Sequence, residues 1–248
     1  MSTLLLSARP TEDNQLLWRA AVQAGWHVER LRGLTIPADL NRSVEIVLYV
    51  EALYAPTIAE ALQLTLLEPT SDWLVNLPEK YRLRSIQLTS LGNARLCEKP
   101  TFIKPPNDKL FKAMVYASGQ DLPDDFDETL PVLLAEPVGF EFEYRCFVKD
   151  RTVQTLSPYL HKGRLSKLDD YQAPAEEMQA ALQFAEQVLA DSDVDLPQAV
   201  VLDVGHIKDR GWAVVEANAA WGSGLYGCDP VKVLEVLRCA VKPTGLES

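Results

Sequence analysis

The 248-residue chain lacks any apolar run near the roughly 18 residues that a membrane-spanning helix needs, so no membrane partner is expected. Its opening residues, Met1 to Ala8, carry only a short apolar stretch and no basic segment before it. A secretory signal is therefore not expected, and the chain reads as cytoplasmic. Positive charge is scarce as well: 24 Lys and Arg stand against 35 Asp and Glu, a net charge of -11. An acidic surface repels a phosphate backbone, which excludes a general nucleic-acid binder. The four cysteines (Cys97, Cys146, Cys228, Cys239) form no C-x-x-C pair, and the three histidines (His27, His161, His206) show no spacing logic. That disfavours a zinc site, a Ser–His–Asp triad and a Cys–His pair, and leaves free thiols in a reducing compartment as the expectation. Neither G-x-G-x-x-G nor G-x-x-x-x-G-K-[ST] occurs, so dinucleotide and P-loop readings fail. No internal repeat or low-complexity tract is present either.

What is there is ordinary globular material, 47% hydrophobic and 24% charged. At about 150 residues per domain the length gives between one and two domains. The first seventy residues alternate short apolar runs with amphipathic stretches in a β-α-β-β-α-β order, which predicts a small, mostly parallel α/β layer. Residues 68–99 mix turn signals with short apolar pieces and read as the connection to a second unit. Beyond them, Phe102 to Lys104 is a strand stopped by Pro105 and Pro106, and residues 117–129 are polar, acidic and proline-containing, as a mobile excursion would be. Segments 130–138, 141–148 and 152–160 are predicted as three strands of a meander, and 176–190 as a helix. Residues 200–207 and 212–217 flank a Lys208–Gly211 turn as a hairpin, and Asp229-Pro230 starts a last helix.

Three places carry chemistry. In the last hairpin, alternation places Glu216 and Asn218 on one face of the second strand and Val201, Asp203 and Gly205 on one face of its partner. Three oxygen side chains converge there, as a hard cation such as Mg²⁺ requires; a merely solvated sheet face is the alternative. Around Pro137, a proline that ends an apolar strand leaves backbone N–H and C=O groups free for a ligand. Just beyond it, Glu141, Glu143 and Arg145 share a strand face, either as a surface ion pair or as a carboxylate for sugar hydroxyls beside an arginine for phosphate. Lys104 sits at its strand's end, with Asp108 and Lys109 just beyond.

Taken in order, Phe102 to Pro105, Glu136-Pro137-Val138 with Glu143 seven residues on, and Asp203 followed by Glu216-x-Asn218 resemble the motif series of the ATP-grasp superfamily. Within it the chain is similar to the clade named for one arginine and two lysines around the nucleotide. The stretch Ala213 to Pro230 is similar to that clade's third family, and Gly25-Trp26 with Arg30 to Gly33 extends the resemblance over almost the whole chain. The resemblance implies an α+β fold, with a small N-terminal α/β unit at 1–80 before an ATP-grasp region at 81–248. It implies ATP and Mg²⁺ as the cofactors. Lys104 would contact adenine and the α-phosphate, Glu136 and Val138 would flank the hinge that reads the adenine edge, and Glu143 would take the ribose hydroxyls. Asp203, Glu216 and Asn218 would hold Mg²⁺. Arg84, with Arg82 a nearby rival, would stand where many relatives have an earlier lysine, Lys109 would be a second lysine, and Arg145 would contact phosphate or an acyl-phosphate.

One departure from the family pattern is plain: residues 106–113 contain no glycine. Phosphate cradling would then lean on Lys109, or on the backbone near Gly222-Ser223-Gly224, with residues 105–129 as the lid. The implied reaction is ATP-dependent activation of a small-molecule or peptide carboxylate as an acyl-phosphate, followed by attack of an amine or thiol. A phosphotransferase on the same fold, or a nucleotide-binding module without turnover, is the alternative. Tyr159, His161, Lys162 and Arg164 lie near the acceptor end.

Overall fold

The structure, a computed structural model, describes residues 2–107 and 110–245. Its first unit is built on β1 (Ser2–Leu6), whose side chains are all buried. Such a continuous apolar strand needs cover on both faces, as the centre of a parallel sheet provides. Helix α1 (Glu12–Gln23) begins where the Thr11 hydroxyl accepts from the Asn14 N–H and buries Asn14, Leu17, Ala20 and Ala21 along one stripe. Strands β2 (His27–Arg30) and β3 (Glu45–Tyr49) flank β1 in parallel. Helix α2 (Ala55–Leu62) follows, but β4 (Leu64–Leu66) departs from the expected layer and pairs elsewhere.

Two short helices, α3 (Trp73–Asn76) and α4 (Glu79–Arg82), lead onward. Trp73 and Tyr81 pack in the core beneath the large sheet, and the Tyr81 hydroxyl donates to Asp191 at 2.9 Å. Next come β5 (Ile86–Ser90), α5 (Leu91–Ala94), β6 (Thr101–Lys104), β7 (Met114–Tyr116) and β8 (Pro131–Ala135). The four strands form an antiparallel sheet in the order β5-β8-β6-β7 around its own small core of Leu91, Ile103, Phe111, Tyr116 and Val132.

Two expectations fail in this part of the chain. Residues 117–129 are not a mobile excursion. Ser118 caps a 3₁₀ turn at Gly119–Asp121 with a reciprocal capping box. The Arg95 guanidinium donates to Glu128 at 2.9 Å, to Asp124 at 3.2 Å and to the Leu122 carbonyl at 3.2 Å. Gly119 approaches so closely that a Cβ there would lie 2.1 Å from the Ala94 carbonyl oxygen. The segment is stapled to α5, which leaves residues 105–107 and 110–113 as the part that borders the cavity described below. The three-strand meander also fails at its first member, because β8 belongs to this sheet and not to the next. Pro137, with no N–H to give, ends the ladder, and residues 136–139 carry the chain across.

The next sheet is the largest. Strands β9 (Phe140–Lys149), β10 (Thr152–His161) and β11 (Arg164–Leu165) run antiparallel, helix α6 (Ala175–Ala190) follows, and β12 (Ala199–Ile207) and β13 (Gly211–Asn218) close the expected hairpin. The order is β11-β10-β9-β12-β13, so β9 and β12 are neighbours. Period-two alternation splits this sheet. Tyr144, Cys146, Val148, Val200, Leu202 and Val204 face α6, while Phe147 and Val201 join the core of the first unit. Glu143, Arg145 and Asp203 therefore lie on the face away from α6. Asp229 caps α7 (Pro230–Leu237), and β14 (Val241–Pro243) returns to pair with β4. All four cysteines are free, with Cys146 and Cys228 buried. Among the described residues no helix is long and apolar enough to cross a membrane.

Candidate active site

A cavity of about 1070 Å³ lies between the four- and five-stranded sheets. Ile86, Phe102, Leu133, Ala135 and Phe140 give it an apolar wall, and Lys104, Glu143, Glu216 and Asn218 give it polar groups. This combination, an apolar slot with a few convergent polar groups, is the usual form of a small-molecule site.

The polar floor follows from strand register. Arg145 of β9 stands opposite Asp203 of β12, and Asp203 stands opposite Glu216 of β13. Arg145 donates from Nε to one Asp203 oxygen at 2.9 Å and from a terminal nitrogen to the other at 2.6 Å, a bidentate pair with both side chains buried. Its guanidinium lies against the rings of Tyr159 and Tyr226, at 5.0 and 4.8 Å, and donates to the Gly224 carbonyl at 3.0 Å. Burial pushes the Asp203 carboxyl above its ordinary value, while Arg145 opposes that push. Lys104, from the end of β6, reaches across the cavity and forms an ion pair with Glu216. The Asn218 amide donates to Glu216 at 3.0 Å and lies 3.5 Å from Asp203. Burial pushes the Glu216 carboxyl up, but Lys104 and Asn218 outweigh it and hold it at about 2.

The donor chemistry at this spot fits a hard cation. Among the described residues no group of three His, Cys, Asp or Glu side chains could hold a metal ion, so the protein donors at this spot are two carboxylates and an amide. Asp203, Glu216 and Asn218 supply two carboxylates and that amide from adjacent strands, and turning the amide about its end would present its oxygen. Glu216 and Asn218 open onto the cavity, whereas Asp203 is fully enclosed and held by Arg145.

Other expected residues take more varied positions. Glu143 lines the cavity and accepts from the Tyr159 hydroxyl at 3.1 Å. Burial pushes its carboxyl up to about 7, with the Tyr159 hydroxyl opposing and Asp203 and Glu216 reinforcing. Val138 lines the cavity, and so does Glu136, whose N–H donates to the Ser85 carbonyl at 2.9 Å. The Glu136 carboxylate, however, pairs with Arg210 at 2.6 Å, tying the hinge to the β12–β13 turn. Arg84 is buried under Phe140, and its two terminal nitrogens donate to the carbonyls of Val214 and Val215 at 2.7 and 2.9 Å, at the bulge of β13. Burial, aided by Arg82, lowers its pKa to about 10. Lys109 lies outside the described residues. Gly222 to Gly224 do not line the cavity; the Gly224 carbonyl accepts from Arg145 instead. Of the four residues expected near the acceptor end, Tyr159 and Lys162 line the cavity and His161 and Arg164 do not. Lys112, which also lines it, and Arg210, which holds Glu136, are additions that sequence reasoning missed. Lys112 was findable, because it lies in the glycine-free stretch already placed over the phosphates.

The state of Glu143 has a consequence for stability. Its folded pKa of about 7 lies above the ordinary 4.5, so folding favours the protonated form. The stabilisation is complete below pH 4.5 and is lost as pH rises through 7. At about 1.4 kcal/mol per unit the full span is at most about 3.5 kcal/mol. Glu143→Gln should therefore gain on the parent chain as pH rises from 4.5 to 7 and then hold a constant lead. Melting curves across that range check this; a lead independent of pH would sink it.

The comparisons with known proteins agree with the geometry. A family model for an ATP-grasp domain, that of the second family in the clade named for one arginine and two lysines, matches residues 81–236. The superfamily and clade are those the motifs pointed to, while the matching family is the clade's second and not its third. No curated protein sequence matches the chain. Among solved structures, D-cycloserine synthetase DcsG superposes with a TM-score of 0.63 at 12% identity, covering 96% of this chain and 99% of its own. A RimK domain ATP-grasp protein from Sphaerobacter thermophilus DSM 20745 gives 0.57 at 14%, covering 96% and 98%. N5-carboxyaminoimidazole synthetase from Staphylococcus aureus gives 0.57 at 10%, covering 98% and 80%.

Proposed function

Because the chain belongs to the second ATP-grasp domain family of the one-arginine, two-lysine clade, we propose that it is an ATP- and Mg²⁺-dependent ligase. It activates a carboxylate as an acyl-phosphate and joins it to an amine or thiol. The observation that carries this reading is that Glu216 and Asn218 face a cavity whose opposite wall supplies Lys104, with Asp203 directly behind them on the neighbouring strand. Structural neighbours named as synthetases support a bond-forming reaction.

In this reading ATP is a substrate seated with its base against Ile86, Phe102, Leu133 and Phe140, and the Glu136 carbonyl and the Val138 backbone read the base edge. Glu143 accepts from the ribose hydroxyls, and Lys104 meets the phosphates. Asp203, Glu216 and Asn218 would hold Mg²⁺, which when bound neutralises charge on the phosphates during transfer. Arg145 opposes protonation of Asp203 and fixes it, since a bidentate guanidinium leaves that carboxylate one rotamer. An acyl-phosphate hydrolyses readily, so the walls from both sheets serve to exclude water. Residues 81–248 carry this chemistry, and the unit at 1–80 with the surrounding loops sets the choice of carboxylate and amine. With its cysteines free, the protein works in the reducing cytoplasm.

The test is ADP release with Mg²⁺-ATP across a panel of amino acids, peptides and dicarboxylates, with products read by mass spectrometry. ADP and an amide formed only when carboxylate and amine are both supplied is the expected result. A phosphorylated acceptor as the end product would replace this reading with a phosphotransferase, and absence of ADP across the panel would favour a module without turnover.

A further inference from the structure

In the proposed reaction Lys104 and Glu216 serve different ligands, the nucleotide phosphates and the cation, yet the structure joins them to each other. The Lys104 side chain is 15% exposed and that of Glu216 27%, so their contact is largely shielded from water. Each end is also boxed in by its neighbours. Glu216 has its other oxygen engaged by Asn218, and Asp203 beside it has both oxygens taken by Arg145. The acids of the floor are thus fully matched by side chains: Arg145 for Asp203, Lys104 and Asn218 for Glu216.

We propose that Lys104 is the resident counter-ion of the cation site, so that a divalent cation and a nucleotide phosphate enter by exchanging the Lys104–Glu216 salt bridge. The inference rests on the nucleotide-binding reading above. Its physical basis is the cost of leaving either member alone. A phosphate that draws Lys104 away strands the Glu216 carboxylate in a half-dry pocket, and a cation that takes Glu216 strands the Lys104 ammonium. When both ligands arrive, each stranded group has a new partner and neither cost is met. Binding of the two is therefore positively linked, and by reciprocity each raises the affinity for the other by the same factor. This linkage belongs to the protein and adds to whatever the ligands do to each other in solution.

The linkage makes an unusual demand: removing a cation ligand should improve nucleotide binding when no cation is present. With ADP as the probe and EDTA in the buffer, calorimetry on Glu216→Gln is expected to show affinity about tenfold above the parent chain, because Lys104 is then free without stranding a charge. Simple relief of repulsion between Glu216 and phosphate predicts a gain too, so the same substitution is made in Lys104→Gln. Exchange predicts that the gain disappears there, whereas repulsion predicts that it persists. The converse is read with Mn²⁺ alone by electron paramagnetic resonance, where Lys104→Gln should bind about tenfold tighter than the parent.

Equal or weaker ADP affinity in Glu216→Gln, or a gain that survives in the Lys104→Gln background, overturns the proposal. Unchanged Mn²⁺ affinity in Lys104→Gln, with melting curves showing the variant folded, also overturns it. Failure of the parent chain to bind ADP even with saturating Mg²⁺ would instead remove the nucleotide-binding reading on which the proposal stands.

Discussion

Asp203→Ala is expected to lower the stability of the protein by about 3–5 kcal/mol, the cost of removing one partner from a buried ion pair. The carboxylate is 0% exposed and the Arg145 side chain 7%, so the guanidinium left behind has no route to water. Only the Gly224 carbonyl and the two tyrosine rings would remain beside it. For a chain of this size the loss corresponds to a fall of about 6–20 °C in Tm. Arg145→Met should cost a similar amount for the mirror reason, a buried carboxylate without its cation. The double variant Arg145→Met/Asp203→Leu, which leaves no charge stranded, should melt above either single. Thermal melts of the three variants decide the matter, and additive losses would refute it. One practical result is that inactivity of Asp203→Ala says little about a cation, because the scaffold fails first.

Glu216→Ala separates the two effects. Glu216 borders the cavity and its pair with Lys104 is less enclosed than the Arg145–Asp203 pair, so the loss should be smaller than for Asp203→Ala and the fold should survive. Turnover should nevertheless fall by about 10²–10³, the scale seen when one preorganised group facing developing charge is removed. The expected signature is a folded protein whose residual ADP release no longer responds to added Mg²⁺. Turnover equal to that of the parent chain would detach Glu216 from the chemistry.

These two variants also show how much of the site the sequence made legible. Glu216, Asn218 and Asp203 stood out because acids and an amide interrupt otherwise apolar strands joined by a tight turn, and the hairpin register is local. The Arg145–Asp203 pair did not stand out, because it depends on β9 and β12 lying side by side across 58 residues of intervening chain. A signal was present all the same. Arg145 and Asp203 are opposite charges at interior positions of apolar strands, and a buried charge requires a partner. The Glu136–Arg210 pair was hidden for another reason: both are surface-type residues, and nothing local says that a hinge carboxylate turns away from the cavity. The error over residues 117–129 arose because acidity and proline content were read as mobility, when one arginine from the end of α5 gathers those groups into a fixed loop. Likewise, β8 read as the start of a meander because a strand sequence does not say which sheet it enters.

The ladder between β4 and β14 bears on how the molecule is put together. The Leu67 N–H donates to the Ala240 carbonyl at 3.0 Å, so the chain leaves the first unit and re-enters it at neighbouring points. Everything from α3 to β13 is spliced between them as an insert whose ends meet, and α7 is its fastening, packed against α1 and β3 of the host. Loops of such an insert can grow or shrink without changing the distance its host must span. The arrangement lets the host's strands stay in register while the catalytic insert diverges.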